Sequence, residues 1–398
     1  MGLPTSYATL YEGSVKDLKG PITVGSDSCL VFDYTDAYSV FDWGRMPDLL
    51  PNKGEALATL AGCWLEKLEK SETWQAFSKS SVALQLRKAN RFGSAFIEAG
   101  EALQQTGLRT HYRGMLSSGE KPKSVSQLTV ASQQFAVLQV SAVRPKSEII
   151  LGRTVPNYLS TRSSPAPRLI PLEVVFRFSC PEGSSLIDRA SRDSTYMASI
   201  GFGEYQAVGG QKWGFPVLEI FTKLESSDRP LTLSEGLAIS GLTGAQLQDV
   251  LFKTAWVAGL IKWTCEEAGL DLADGKLEWG ISAVGEIFLV DAIGPDELRI
   301  LSKGGTQLSK EFLRLHYRKT GWFEATQKAK KEAKARGSQD WKQLCTEQPE
   351  HLPDFQKELA SHLYMALTNT LSGKTWFPKA WSLDEVVRKL ELLSGGSS

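Results

Sequence analysis

Two apolar, strand-like runs, Lys276-Leu277-Glu278-Trp279-Gly280 and Phe288-Leu289-Val290-Asp291, carry three charges at alternate positions with one short turn between them. Alternate side chains of a strand share a face. Lys276 and Glu278 therefore point one way, and Leu277, Trp279 and Ile281 the other. Residues 282–285 can reverse the chain, and residues 286–293 then read as the antiparallel partner. A turn centred between Ala283 and Val284 sets Lys276 opposite Asp291, with Glu278 as its diagonal neighbour about 7–8 Å away at the backbone. Two carboxylates and an ammonium then share one spot, which suits Mg²⁺ and the phosphates it carries. Register is decisive, because a slip of one residue sends Asp291 to the opposite face. An exposed hairpin with a cross-strand salt bridge is the competing reading of the same pattern.

A chain of 398 residues, 42% hydrophobic and 23% charged, has the composition of a globular protein with two or three compact units. Its 45 basic residues balance 45 acidic ones, so overall charge supports neither a nucleic-acid nor a membrane partner. Met1-Gly2-Leu3-Pro4-Thr5 has no basic segment leading into an apolar run, and no stretch reaches transmembrane length. The expected location is cytoplasmic. Cys29, Cys63, Cys180, Cys265 and Cys345 lie far apart, which suits reduced thiols and argues against a zinc or disulfide framework. His111, His316, His351 and His362 lack metal-ligand spacing and read as structural.

Residues 8–45 look β-rich, residues 54–70 carry helical spacing, and residues 71–168 give a mixed signal. The Ser-rich segment 160–167 is the best candidate for an inter-domain linker. Residues 169–179 again read as a strand, and Pro181-Glu182-Gly183-Ser184-Ser185 opens a helix. The clearest helix spans 243–269, with Thr243 as cap and Gly269 as stop. The basic run 328–336 reads as a solvated helix face, residues 355–367 as a packing helix, and residues 395–398 as a frayed tail. Internal repeats are absent.

Phosphate loops of the GxxxxGK[ST] or strand-linked GxGxxG kind do not occur. The closest feature is Glu12-Gly13-Ser14-Val15-Lys16, a short turn with a lysine placed to touch phosphate; a plain surface lysine competes with it. Gly183-Ser184 at a helix start offers free N–H groups and a hydroxyl to an anion, or an ordinary N-cap. Arg177 shares a strand face with Glu173 and either joins that anion site or forms a buried pair with Glu173. Arg299 and Arg314 follow the charged hairpin and make a phosphorylated substrate plausible.

In collinear order these segments resemble the SAICAR synthetase family. Tyr11-Glu12-Gly13-Ser14-Val15-Lys16-Asp17 is similar to YEGKVRD, and Thr35-Asp36-Ala37-Tyr38-Ser39-Val40-Phe41-Asp42 to SDRISAFD. Asn52-Lys53-Gly54-Glu55 resembles the GKGE segment, and Gly107-Leu108-Arg109-Thr110-His111-Tyr112 resembles GIPTHF. Leu169-Ile170-Pro171-Leu172-Glu173-Val174-Val175-Phe176-Arg177 with Gly183-Ser184 is close to LIPLEVVVR and GS. Lys276-Leu277-Glu278-Trp279-Gly280, Val290-Asp291, Pro295-Asp296 with Arg299, and Phe312-Leu313-Arg314 resemble KLEFG, VDE, PDSSR and FLR.

The resemblance implies an α+β fold of the SAICAR synthetase type. A β-rich, kinase-like lobe with an insertion (residues 1–166) would sit over a second α+β domain (167–318), with ATP in the cleft and a helical extension (319–398) outside. It implies ATP-dependent amide formation in purine synthesis between the carboxylate of CAIR, an aminoimidazole ribonucleotide, and L-aspartate, through an acyl phosphate. ATP and Mg²⁺ are the implied cofactors and small molecules the implied partners, with a homo-oligomer left open. By the matches, Glu278 and Asp291 hold Mg²⁺, Gly13, Ser14 and Lys16 meet the ATP phosphates, and Glu173 contacts the nucleoside. Lys16, Lys276 and Asp291 act at the reacting centre. Arg177, Gly183, Ser184, Lys276, Arg299 and Arg314 bind the phosphate and carboxylate of the ribonucleotide, and Asp36, Ser39, Asp42 and Lys53 line the substrate side. Four positions depart from the pattern: Ser14 and Ala37 each replace a cation, Ala292 replaces a glutamate, and Glu297-Leu298 replaces a serine pair. A ligase for another acid or amine, or an inactive nucleotide-binding relative, are the alternatives.

Overall fold

The alternating run at residues 29–34 becomes the middle of a sheet whose strands bury one face against a long helix. The computed structural model describes residues 7–117, 121–225, 228–336 and 340–395; the Met1-Gly2-Leu3-Pro4-Thr5 start and residues 396–398 of the expected tail lie outside the described residues. The first sheet comprises β1 (Thr9–Glu12), β2 (Lys16–Val24), β3 (Asp27–Tyr34), β4 (Tyr112–Leu116) and β5 (Gln134–Leu138), in the antiparallel order β1-β2-β3-β5-β4. The helix Lys53–Glu69 buries Ala56, Leu57, Leu60, Trp64, Leu65 and Leu68 at the expected helical spacing.

A separate hairpin, β6 (Lys146–Ile150) and β7 (Arg153–Asn157), precedes the expected linker, which holds the short helix Leu159–Arg162. The second sheet follows: β8 (Arg168–Ser179), β9 (Lys212–Thr222), β10 (Pro230–Leu231), β11 (Asp271–Ile281), β12 (Ile287–Val290) and β13 (Leu298–Leu301). Its order is β10-β9-β8-β11-β12, with β13 also pairing β11. Both faces of β8 and β11 are covered, which is why their apolar runs are nearly continuous. The helix Gly244–Glu267 starts at Thr243, whose hydroxyl accepts from Gln246 N while Gln246 reciprocates, and Gly269 follows it with φ 74°. Trp279 of β11 donates from Nε1 to Thr254 Oγ1 of this helix at 3.0 Å.

The carboxy-terminal helices do not stand outside. The helix Asp354–Ser372 lies on Lys53–Glu69, buries Leu359, Leu363, Leu367 and Leu371, and anchors Thr368 Oγ1 to Ala56 O at 2.9 Å. Its apolar stripe finds no other cover, so it joins the main core. Leu367→Ala is therefore expected to cost about 2–5 kcal/mol in urea unfolding. A cost near zero would mean that the helix is peripheral. The basic run behaves as read: Gly321–Arg336 buries Trp322, Thr326, Ala329 and Ala333 and leaves Lys328 and Lys331 exposed.

Candidate active site

The hairpin register differs from the expected one. Glu278 pairs with Val290 and Trp279 with Leu289, so the turn centres on Val284, and Asp291 continues in line with Leu277 rather than Lys276. By period alone Asp291 would face away from Glu278. Instead β12 ends at Val290, and Asp291 adopts φ 64°, a conformation that non-glycine residues rarely take. This turn brings its carboxylate back to Glu278 and to Lys16 of the other sheet, which it pairs. The amino-terminal lobe holds it there: Leu289 N donates to Arg109 O, His111 N donates to Leu289 O, and His111 Nε2 lies 2.9 Å from Asp291 O. Burial pushes the His111 pKa down to about 4, so a neutral imidazole donates to that carbonyl.

Glu278 sits directly opposite Glu173 in the β11–β8 ladder. Two carboxylates in that position repel. Lys223, just past β9, lies between them, 2.7 Å from Glu278 Oε1 and 3.2 Å from Glu173 Oε2, while Lys276 Nζ donates to Glu173 Oε2 at 2.8 Å. Burial, then the nearby Asp291 charge, pushes the Glu278 pKa up to about 7 against Lys223 and Lys276. Burial also opposes the charge of Asp291, but Lys16 above all holds that carboxylate below its ordinary range.

A second cluster adjoins the first. Lys53 is fully buried, 3.3 Å from Asp296 Oδ2 without the alignment of a hydrogen bond, and desolvation then Lys310 lower its pKa. Tyr364, from the carboxy-terminal helix, donates to Asp296 Oδ1 at 2.8 Å. Glu297 is pushed up to about 7 by burial and then by Asp296 and Asp291.

Gly13 N donates to Lys16 O at 3.1 Å, and a Cβ on Gly13 would stand 2.2 Å from that oxygen, so only glycine closes this turn. Arg45 Nε donates to Gly13 O at 3.0 Å. Gly13, Ser14, Ser39 and Asp42 then line one polar groove of about 520 Å³. Smaller, more apolar hollows elsewhere lack this concentration of expected residues.

Other expected residues are engaged within the protein. Arg177 does not pair with Glu173; its Nε meets Glu219 Oε2 at 2.5 Å and its Nη1 meets Asp274 Oδ2 at 3.0 Å. Ser184, after Gly183 at φ 74°, accepts from Leu186 N as an ordinary N-cap of Ser185–Arg192. Asp36 Oδ1 accepts from Gly54 N at 3.0 Å and supplies the cap that Asn52 does not. Arg299 lies 3.5 Å from Asp274, and Arg314 pairs with Glu311 at 3.0 Å; both remain partly exposed. Lys223, Lys310 and Tyr364 were not among the expected residues. A lone acid within Val217-Leu218-Glu219-Ile220-Phe221 marks β9 as an ion-bearing buried strand, and Lys223 follows directly.

Among the described residues no group of three or more His, Cys, Asp or Glu side chains is arranged to hold a metal. Glu278 and Asp291 are two carboxylates forced together under burial, which fits a magnesium ion that draws its remaining ligands from phosphate and water. Glu278 and Glu297 bind a proton more readily folded than unfolded. Their stabilisation is full below about pH 4.5 and is lost as pH rises through about 7. A dication held by Glu278 and Asp291 would displace the Glu278 proton, so the affinity for Mg²⁺ with ADP is expected to rise between about pH 6 and 8 and then level. Calorimetry across that range checks it; Glu278→Gln should flatten the profile, and a flat wild-type profile would remove Glu278 from the metal pair.

Fold and site together define an α+β enzyme in which carboxylates and lysines gather where residues of the two sheets meet. The chain matches the SAICAR synthetase family over residues 9–330 and belongs to that family. The putative phosphoribosylaminoimidazole-succinocarboxamide synthase of Archaeoglobus fulgidus is 31% identical over 383 residues, covering 95% of this chain and 98% of that protein. The phosphoribosylaminoimidazole-succinocarboxamide synthase of Thermoplasma volcanium is 24% identical, covering 92% and 99%. The solved SAICAR synthase of Saccharomyces cerevisiae, complexed with SAICAR, shares the fold with a TM-score of 0.56 and 18% identity, over 93% of this chain and 96% of that one. The carboxy-terminal extension (319–398) therefore aligns in large part with the archaeal relative, although the family match itself stops at residue 330.

Proposed function

We propose that the chain joins the carboxylate of CAIR to L-aspartate at the expense of ATP, a carbon–nitrogen ligation of purine synthesis carried out in the cytoplasm. The observation that carries this reading is the meeting of Lys16, from the first sheet, with Asp291, Glu278, Glu173, Lys223 and Lys276 of the second. A free carboxylate is a poor electrophile. Its oxygen attacks the terminal phosphorus of ATP, the bond to ADP breaks, and an acyl phosphate results. The aspartate amine then attacks the acyl carbon, the bond to phosphate breaks, a proton leaves nitrogen, and the amide forms.

Phosphoryl transfer needs placed positive charge more than covalent help. Lys16 and Lys276 supply it, and Ser14 adds a hydroxyl donor on the turn that Gly13 closes. Glu278 and Asp291 would hold Mg²⁺, which when bound neutralises phosphate charge. Ser39 and the partly exposed Arg299 and Arg314 remain for the ribonucleotide and aspartate; Asp42, paired with Lys330, joins Asp36, Lys53, Arg177, Gly183 and Ser184 in shaping the walls behind them. The relatives' shared name supports the choice of reactants.

The test is ADP release by the purified chain with CAIR, ATP, Mg²⁺ and aspartate, alongside rescue of a purine auxotroph lacking this step. ADP release that ignores aspartate, or that needs a different acid, would sink it. One observation favours a second reading, a ligase for another acid or amine: Glu297 places a buried carboxylate beside Asp291 and Asp296 in a cleft meant for anions. A screen of acids and amines against the same ADP readout separates the two.

A further inference from the structure

The groove between the Gly13-Ser14 turn and the 39–45 loop has one wall that the family match does not reach: Lys342, in the short 3-10 turn Trp341–Leu344. Several contacts fix that wall. Phe41 and Asp42 hold φ of 54° and 62°, a costly value for the bulky Phe41, and Lys330 Nζ donates to Phe41 O and Asp42 Oδ2, both at 2.9 Å. Lys330 also sits 4.7 Å above the Trp341 ring, which leans on Trp43 at 5.9 Å between centroids. The carboxy-terminal segment thus clamps the loop and sets Lys342 at its edge. Gly44, at φ 99°, lies directly beside this lysine: a Cβ there would be in ordinary contact with Lys342 Nζ at 3.7 Å.

The charges of the groove are unequally spent. Arg45 is bound to Gly13 O and Asp17, and Asp42 to Lys330. Among the described residues the exposed Lys342, 6.0 Å from the Trp341 ring centroid, has no carboxylate partner, and it lines the groove together with Glu12, Ser14 and Ser39. We propose that Lys342 grips an anionic group, carboxylate or phosphate, of a substrate entering past the Gly13-Ser14 turn, and so sets substrate specificity from a segment outside the matched family region. The choice of substrates rests on the ligase reading above; the anion site does not.

Kinetics of the full chain, varying ATP, CAIR and aspartate in turn, test it in Lys342→Ala, Lys342→Arg and the exposed control Lys328→Ala. Lys342→Ala is expected to raise one KM about tenfold, the loss of one charge-assisted contact, with kcat within about twofold, and Lys342→Arg to restore most of it. The KM that moves names the source: ATP for its triphosphate, CAIR or aspartate for theirs. All three unchanged, or the same shift in Lys328→Ala, overturns the proposal. If the wild type turns over none of these substrates, the ligase reading fails, and calorimetry with inorganic pyrophosphate decides the site. Binding about tenfold weaker in Lys342→Ala than in wild type upholds it, and equal or absent binding overturns it.

Discussion

Asp291→Asn is expected to lower Mg²⁺-dependent ATP turnover by roughly 10²–10³-fold, the scale of losing one preorganised charge at a transition state. Asparagine keeps the shape that the φ of 64° requires, being among the residues that best tolerate it, but gives up the charge paired with Lys16. Two readouts accompany the loss. Lys16 keeps Glu297 and Glu278 nearby, so melting should shift by only a few degrees. Glu278 loses a like charge, so its raised pKa falls towards the ordinary glutamate range and the pH dependence of Mg²⁺ binding moves to lower pH. Turnover equal to wild type would take Asp291 out of the metal site.

Glu219→Gln is expected to destabilise the fold by about 3–5 kcal/mol in urea unfolding, as breaking a buried ion pair from one side does. The carboxylate is fully buried and accepts from Arg177, from Arg189 at 2.6 Å and from Tyr196 at 2.7 Å. An amide leaves two guanidiniums short of their counter-charge inside the second sheet. Burial works against the charge of Glu219, yet Arg177 and then Arg189 outweigh it and lower its pKa. Its stabilisation is therefore present above the ordinary glutamate range and lost as pH falls through the folded value, and Glu219→Gln should flatten that acid limb. A cost below about 1 kcal/mol would free Arg177 for the ribonucleotide, the role the resemblance gave it.

The elements with strong local signals were legible. Thr243 and Gly269 bracket their helix because capping is a matter of a few adjacent atoms, and the alternation at 29–34 and 169–179 marks strands because side chains must sort by face. Less legible were sites whose partners are distant in sequence. Arg177 read as an anion ligand because nothing near it announces Asp274, 97 residues on. Tyr364 and Lys342 carried no signal at all, since a helix or short turn of ordinary composition reveals nothing of the surface it will meet.

The hairpin divides the two kinds of knowledge. Sequence alone determined that Lys276 and Glu278 sit on one of two paired strands and that Asp291 comes at the end of the other, because hydrophobic period and turn chemistry are local. Tertiary structure decided that the acids meet: the ladder is offset by one residue, and Asp291 is turned back by a backbone conformation that the 109–111 segment and Lys16, both from the opposite lobe, hold in place. Which way a side chain points after a strand ends depends on contacts made across the whole fold, and no local pattern encodes them.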